Sequence, residues 1–188
     1  DVLLAPLVQV LAGWTGRGSV VVELEGHGRE EIDAGVDLSR TIGWFTTLYP
    51  AWLRLPSDRS PATTLKSIKE QLRAIPGRGL GFGLLRYLGQ DPALRQLVAA
   101  LPRPEILFNY LGQSSTDAAD GLFQLSPEPT GTSHAPENRR AYLIDINAAI
   151  VDGVLHIHWA YSANFHAAET IQRLAGRYLP GLQQLFVL

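Results

Sequence analysis

The sequence predicts an α+β fold: one sheet, mainly antiparallel or mixed, with helices packed on one side. Two observations carry this. Stretches with apolar residues three and four apart do not alternate strictly with β-branched runs, as a doubly wound parallel sheet would require. The two runs flanking Asp152-Gly153 form a clear antiparallel hairpin, because that dipeptide suits the type I′ turn of a two-residue loop.

Taken in order, Val2 to Trp14 reads as an amphipathic helix, with Leu3, Leu7, Val10, Leu11 and Trp14 on one stripe and Asp1 as its cap. Gly13, Gly16 and Gly18 end it. Val20 to Glu25 is a strand in which Val20, Val22 and Leu24 face one way, and Val21, Glu23 and Glu25 the other. Glu30 to Ser39 reads as a loop and Thr41 to Leu55 as an aromatic-rich strand that Pro50 breaks or places at an edge. Ser60-Pro61 starts a helix with Leu65, Ile68, Leu72 and Ile75 as its buried stripe, stopped at Ile75-Pro76.

Gly77 to Gly83 reads as a flexible or close-packed loop. Its glycine spacing matches neither phosphate-binding pattern, and a helix rather than a strand precedes it. Asp91-Pro92 starts a short helix bearing Leu94, Leu97, Val98 and Leu101. Glu105 to Tyr110 is a strand ending at Gly112, and 114–136 is a long Ser/Thr/Pro/Gly-rich connection. Arg140 to Val151 alternates, with Tyr142, Ile144, Ile146 and Ile150 inward and Asp145 and Asn147 outward. Val154 to Tyr161 returns with Leu155, Ile157, Trp159 and Tyr161 inward. His156 and His158 then fall on a solvated face rather than at a metal site, since no third ligand stands at a recognisable spacing. Ala167 to Leu188 reads as a closing helix kinked at Pro180.

Composition narrows the function. The 188 residues are 46% apolar and 18% charged, ordinary for one globular unit, and a net charge of −2 with dispersed Lys and Arg offers nothing to nucleic acid. No run is long enough to span a membrane and no basic leader precedes an apolar stretch, so no membrane partner is expected. Without cysteine there is no disulfide, thiolate metal site or thiol nucleophile, which fits a cytoplasmic protein. With no methionine in the chain, a segment of a longer polypeptide is expected.

The strand Val20 to Glu25 runs into Gly26-His27-Gly28-Arg29-Glu30, where two glycines let the backbone turn while acid, imidazole and guanidinium groups crowd together. Arg40-Thr41-Ile42-Gly43-Trp44-Phe45-Thr46-Thr47-Leu48-Tyr49-Pro50 follows. These stretches resemble two successive motifs of the epimerization domains of nonribosomal peptide synthetases. Asp1-Val2-Leu3-Leu4, Pro76 to Gly83 and Phe108-Asn109-Tyr110-Leu111-Gly112 resemble three more, in the same order. The resemblance implies the C-terminal lobe of a chloramphenicol-acetyltransferase-like, two-lobed fold, with residues 1–188 as a single lobe and the N-terminal lobe absent.

It also implies a reaction, the inversion of the α-carbon of an aminoacyl or peptidyl thioester. The substrate rides on the 4′-phosphopantetheine of a peptidyl carrier protein domain, the lobe has no cofactor of its own, and neighbouring synthetase modules are the further partners. Inversion needs acid/base groups on both sides of the carbon. In this family a His-His-x-x-x-Asp-Gly motif of the other lobe serves one side, and no His-His pair occurs here, so the segment is expected to be inactive alone.

Carried over, Glu25 is the acid/base, Arg29 holds or polarises charge, and Asn109 and Tyr110 line the site; Trp44, Phe45 and Tyr49 are assigned to the substrate. Glu23 shares Glu25's strand face and stays an alternative carboxylate, Arg29 fits equally well as a structural ion-pair partner, and Asn109 and Tyr110 equally well as a strand-end cap and a core tyrosine. His27 is expected to be structural. Two other readings stay open: the equivalent lobe of a peptide-bond-forming condensation domain, whose second motif would continue Phe-Val-Asn-Thr, and a noncatalytic carrier-docking module.

Overall fold

The computed structural model describes residues 1–30, 35–114, 128–129, 131–132, 135 and 137–187. Five strands form one mixed sheet in the order β2-β1-β3-β4-β5: β1 Ser19–Gly26, β2 Thr47–Arg54, β3 Ile106–Ser114, β4 Ile144–Val151 and β5 Val154–Tyr161. β1 and β2 are antiparallel, as are β4 and β5, whereas β1–β3 and β3–β4 are parallel. Two antiparallel pairs are thus joined through β3. The β4–β5 turn has φ of 49° at Asp152 and 77° at Gly153, both left-handed as a type I′ turn requires.

One face of the sheet is covered by α1 (Leu4–Thr15), α2 (Pro61–Arg73) and α5 (Ala168–Gln184). Leu7, Val8 and Leu11 of α1, Ile68 of α2 and Leu174 of α5 are almost fully buried against Val22, Leu53, Ile144 and Ile146 of the strands. Tyr178 reaches from α5 to donate to the Leu3 carbonyl at 3.0 Å, and its ring meets Trp159 edge-on. Burial holds the Tyr178 phenol well above its ordinary pKa, so its proton stays in that bond.

Local chemistry explains most boundaries. Ser60 caps α2, accepting from the Thr63 N–H, and Asp91 caps α4 (Pro92–Ala99), accepting from the Ala93 N–H at 2.8 Å. The expected cap at Asp1 differs: its backbone carbonyl, rather than its side chain, accepts from the N–H groups of Leu4 and Ala5. The second strand begins at Thr47 instead of Thr41, leaving Ile42 and Trp44 in exposed coil. Pro50 is accommodated inside β2, an edge strand in which only every second N–H faces the ladder.

Two further expectations are corrected. The glycine-rich stretch is a close-packed turn only at its start, where Gly77, Arg78 and Gly79 have left-handed φ of 51°, 49° and 84°; from there it is helical, in α3 (Leu80–Gly83) and a wide turn Leu84–Leu88. Glycine spacing indicated freedom without saying how it would be used. β4 begins at Ile144 rather than Arg140, which frees Tyr142 from strand alternation and turns it away from the core. β3 continues past Gly112, whose φ of 90° and a register shift between Tyr110 and Gln113 bend the strand. α5 continues through Pro180 to Gln184. The 114–136 connection lies largely outside the described residues, and the Glu30–Ser39 loop partly so.

Candidate functional site

Strand alternation builds the site. Val20, Val22 and Leu24 point into the helix-covered core and are buried, so Val21, Glu23 and Glu25 point to the opposite, more open face, which α3 and the turn after it flank beside Glu23. By ladder register the same face carries Leu48 of β2 beside Glu25, Leu107 of β3 beside Glu23, then Asn109, Asn147 and His158 across β3, β4 and β5.

The side-chain amide of Asn109 donates to Glu25 Oε2 at 2.7 Å, a bond between residues 84 positions apart. Glu25 is half-buried, and loss of water around its carboxyl raises its pKa above the ordinary value. Arg29 does not oppose that rise. Its guanidinium donates to the Leu38 carbonyl at 2.6 Å and stacks 4.3 Å from the Phe45 ring centroid, pinning the loop after β1 to the approach of β2. The structure therefore brings Asn109 to Glu25 and takes Arg29 elsewhere.

Close backbone approach explains the glycines. Gly28 has φ of 67°, and a Cβ there would overlap the Phe45 carbonyl oxygen, so the two successive motifs interlock at this point. His27 Nδ1 accepts from the Arg29 N–H at 3.0 Å, which leaves the proton on Nε2, 3.2 Å from Glu30. Glu30 in turn lies 3.6 Å from Arg78, the non-glycine residue held at φ of 49° in the first helical turn after Pro76. Gly79 beside it admits the Tyr49 ring, which a Cβ at that position would strike. Neither the Glu30–Arg78 pair nor this ring contact was legible in the sequence, because each joins segments with no shared periodicity.

These groups surround a cavity of about 720 Å³ at the end of β1, lined by Glu25, Glu30, Tyr49, Arg78, Phe108 and Tyr110. Tyr110 enters it from the strand face opposite Asn109. Of the aromatic residues assigned to substrate, Tyr49 lines the cavity, Phe45 is taken up by Arg29, and Trp44 stands 90% exposed outside it. Glu23 is more deeply buried than Glu25, at 8% exposure, and is not the exposed member of the pair. His156 and His158 are both exposed. Among the described residues no group of three His, Cys, Asp or Glu side chains converges to hold a metal, and no helix is long and apolar enough to cross a membrane.

Chemically, the arrangement is a partly desolvated carboxyl, able to exchange a proton from one side of whatever lies against the open face. His158, on the same face, stands three strand spacings from Glu25, about 14 Å. It is too far to serve the other side of one carbon.

Residues 1–187 match the model of the condensation domain. Tyrocidine synthase 2 of Brevibacillus parabrevis is 42% identical over 178 residues, 95% of this chain and 5% of that protein. Gramicidin S synthase 1 of Brevibacillus brevis is 38% identical over 95% of this chain and 17% of its own length. This chain thus spans a small part of each synthetase. The crystal structure of the epimerization domain from the third module of tyrocidine synthetase B superposes with a TM-score of 0.87 at 41% identity, covering 98% of this chain and 41% of that one. The starter condensation domain of rhizomide synthetase shares the fold alone, at 15% identity and a TM-score of 0.60. A mixed five-stranded sheet with one helix-covered face, matched along its whole length in sequence, leaves one conclusion: the chain belongs to the condensation-domain family of nonribosomal peptide synthetases.

Proposed function

We propose that the chain is the C-terminal lobe of an epimerization domain, inverting the α-carbon of an aminoacyl or peptidyl thioester carried on the phosphopantetheine of a peptidyl carrier domain. The observation that carries this reading is the Glu25 carboxyl, held by Asn109 on the open face within a chain 41% identical to a solved epimerization domain. Glu25 takes the α-proton, which the thioester carbonyl acidifies, or returns one to the same face. Partial desolvation suits both directions, since a carboxyl with a raised pKa is a stronger base when ionised and gives up a proton nearer neutral pH. The opposite face is served by a group outside this chain, supplied by the N-terminal lobe. Asn109 fixes the orientation of Glu25, while Arg29 and Gly28 hold the loop that follows it.

The test is α-proton exchange into deuterated solvent, with the substrate loaded on its carrier. The synthetase polypeptide that contains this chain is expected to exchange, and Glu25→Gln to slow exchange by about 10²–10⁴-fold. The 188-residue chain alone is expected not to exchange. Sustained exchange by the chain alone, or an unimpaired Glu25→Gln variant, rejects the one-sided carboxyl.

A further inference from the structure

Glu23 has no task in the reaction just described, yet it is the most buried carboxyl on the open face, 8% exposed. Among the described residues it makes no hydrogen bond or ion pair, and its carboxyl oxygens keep a path to solvent. It lines a cavity of about 520 Å³, separate from that at the end of β1, whose walls include Thr47, Phe82, Arg86 and Tyr142. Arg86 is near enough for its charge to act on Glu23, but it does not close an ion pair. A recessed acceptor and a donor thus line one cavity.

The cavity has a chemistry. A lone ammonium group would meet Glu23 but also Arg86 and Arg103, both of which line the cavity. A purely apolar group would leave a buried carboxylate unsatisfied, which is unfavourable. A planar group with one donor and one acceptor answers both sides. The cavity also extends to Leu48, which pairs directly with Glu25 across β1 and β2. Glu23 and Glu25 are two residues apart on one strand face, so their Cα atoms stand about 6.7 Å apart. A substrate whose α-carbon lies against Glu25 can span that distance with a side chain or one further peptide unit.

We propose that this cavity is a subsite for an amide group of the thioester substrate, with the amide N–H donating to Glu23 and its C=O accepting from Arg86. The amide is either the carboxamide side chain of the reacting residue or the backbone amide of the residue before it. The identity of the substrate rests on the epimerization reading; the donor and acceptor chemistry of the pocket does not. Burial raises the Glu23 pKa and Arg86 works against that rise, which fits a carboxyl awaiting a neutral donor.

The experiment uses the synthetase polypeptide containing this chain and unreactive pantetheine amides bearing a leucyl, a glutaminyl or an N-acetylglycyl-leucyl group, with binding measured by calorimetry. In the wild type the glutaminyl or the N-acetylglycyl-leucyl probe is expected to bind about 10-fold or more tightly than the leucyl one, as a hydrogen bond to a charged group warrants. Which of the two gains identifies the source of the amide. Glu23→Leu and Arg86→Leu are each expected to erase the preference while the leucyl probe binds as before. Glu23→Gln, which keeps the shape, should reduce the preference, and it guards against a Glu23→Leu variant that fails to fold. Equal binding of all three probes, or a preference that survives Glu23→Leu, overturns the subsite. α-Proton exchange of a leucyl group loaded on the carrier reads the other claim separately. Exchange without probe preference sinks the subsite alone, and preference without exchange sinks the epimerization reading alone.

Discussion

The two faces of the sheet are made by the same strands and answer to different demands. On the covered face, Val22, Leu24, Phe108, Ile144 and Ile146 pack against three helices, and any apolar shape of the right volume would serve. On the open face, Glu23, Glu25, Asn109, Asp145 and Asn147 alternate with them, and all are polar. Placing stability on one side of a strand leaves the other side free to hold desolvated carboxyls. The two properties should therefore separate under substitution.

The sharpest separation pairs Glu25→Gln with Ile146→Ala. The first is expected to lower α-proton exchange by about 10²–10⁴-fold with an unchanged urea midpoint. The second is expected to lose about 2–5 kcal/mol of stability by leaving a cavity, with exchange intact at temperatures where the fold survives. If Ile146→Ala cut exchange as deeply while still folded, the faces would not be independent.

Gly28→Ala crosses the division. It touches no core residue, but a left-handed φ and the nearby Phe45 carbonyl leave no room for a Cβ, so about 1–3 kcal/mol of strain should release the loop. Limited proteolysis should find new cleavage between Gly28 and Thr46, and unchanged protection would show that the interlock is dispensable.

Smaller effects test the open face from within. Removing the Asn109 amide takes a hydrogen bond from ionised Glu25, so Asn109→Ala should move the Glu25 limb of the exchange pH profile to higher pH. A limb that stays put would mean the bond is not made to the ionised form.

Glu23→Gln also has a smaller effect, read in stability. A carboxyl whose pKa is raised by folding binds its proton more readily in the folded state. Between the ordinary carboxyl value and the raised one, stability therefore falls as pH rises. Urea titrations across that window should show this downward slope in the wild type and a flatter one in Glu23→Gln, and parallel slopes would place Glu23 in water.

Legibility followed locality. The alternation in Val20 to Glu25 named both faces, and Ser60-Pro61, Asp91-Pro92 and Asp152-Gly153 marked their elements, because each signal is complete within a few residues. Motif register named Glu25 and Asn109 as site residues, but only folding showed that one holds the other. Arg29 was legible as important and not as an anchor, since its partners Leu38 and Phe45 are chosen by loop geometry. The strand expected at Trp44 is missing because an aromatic residue among β-branched ones reads as strand, whereas that segment pairs with no strand among the described residues.

The β1–β3 seam, paired through Glu23 with Leu107 and Leu24 with Phe108, also sets a clock. The β4–β5 hairpin closes over two residues, but the seam must close a loop of more than eighty. Contacts so distant along the chain bear their closure entropy before they gain anything, so they form late. As a ribosome delivers the chain, β1 and β2 wait for β3, and the Glu25–Asn109 bond forms only when the two halves of the sheet meet. Orientation of the Glu25 carboxyl is therefore tied to the last and longest closure of the sheet, and is gained only with the finished architecture.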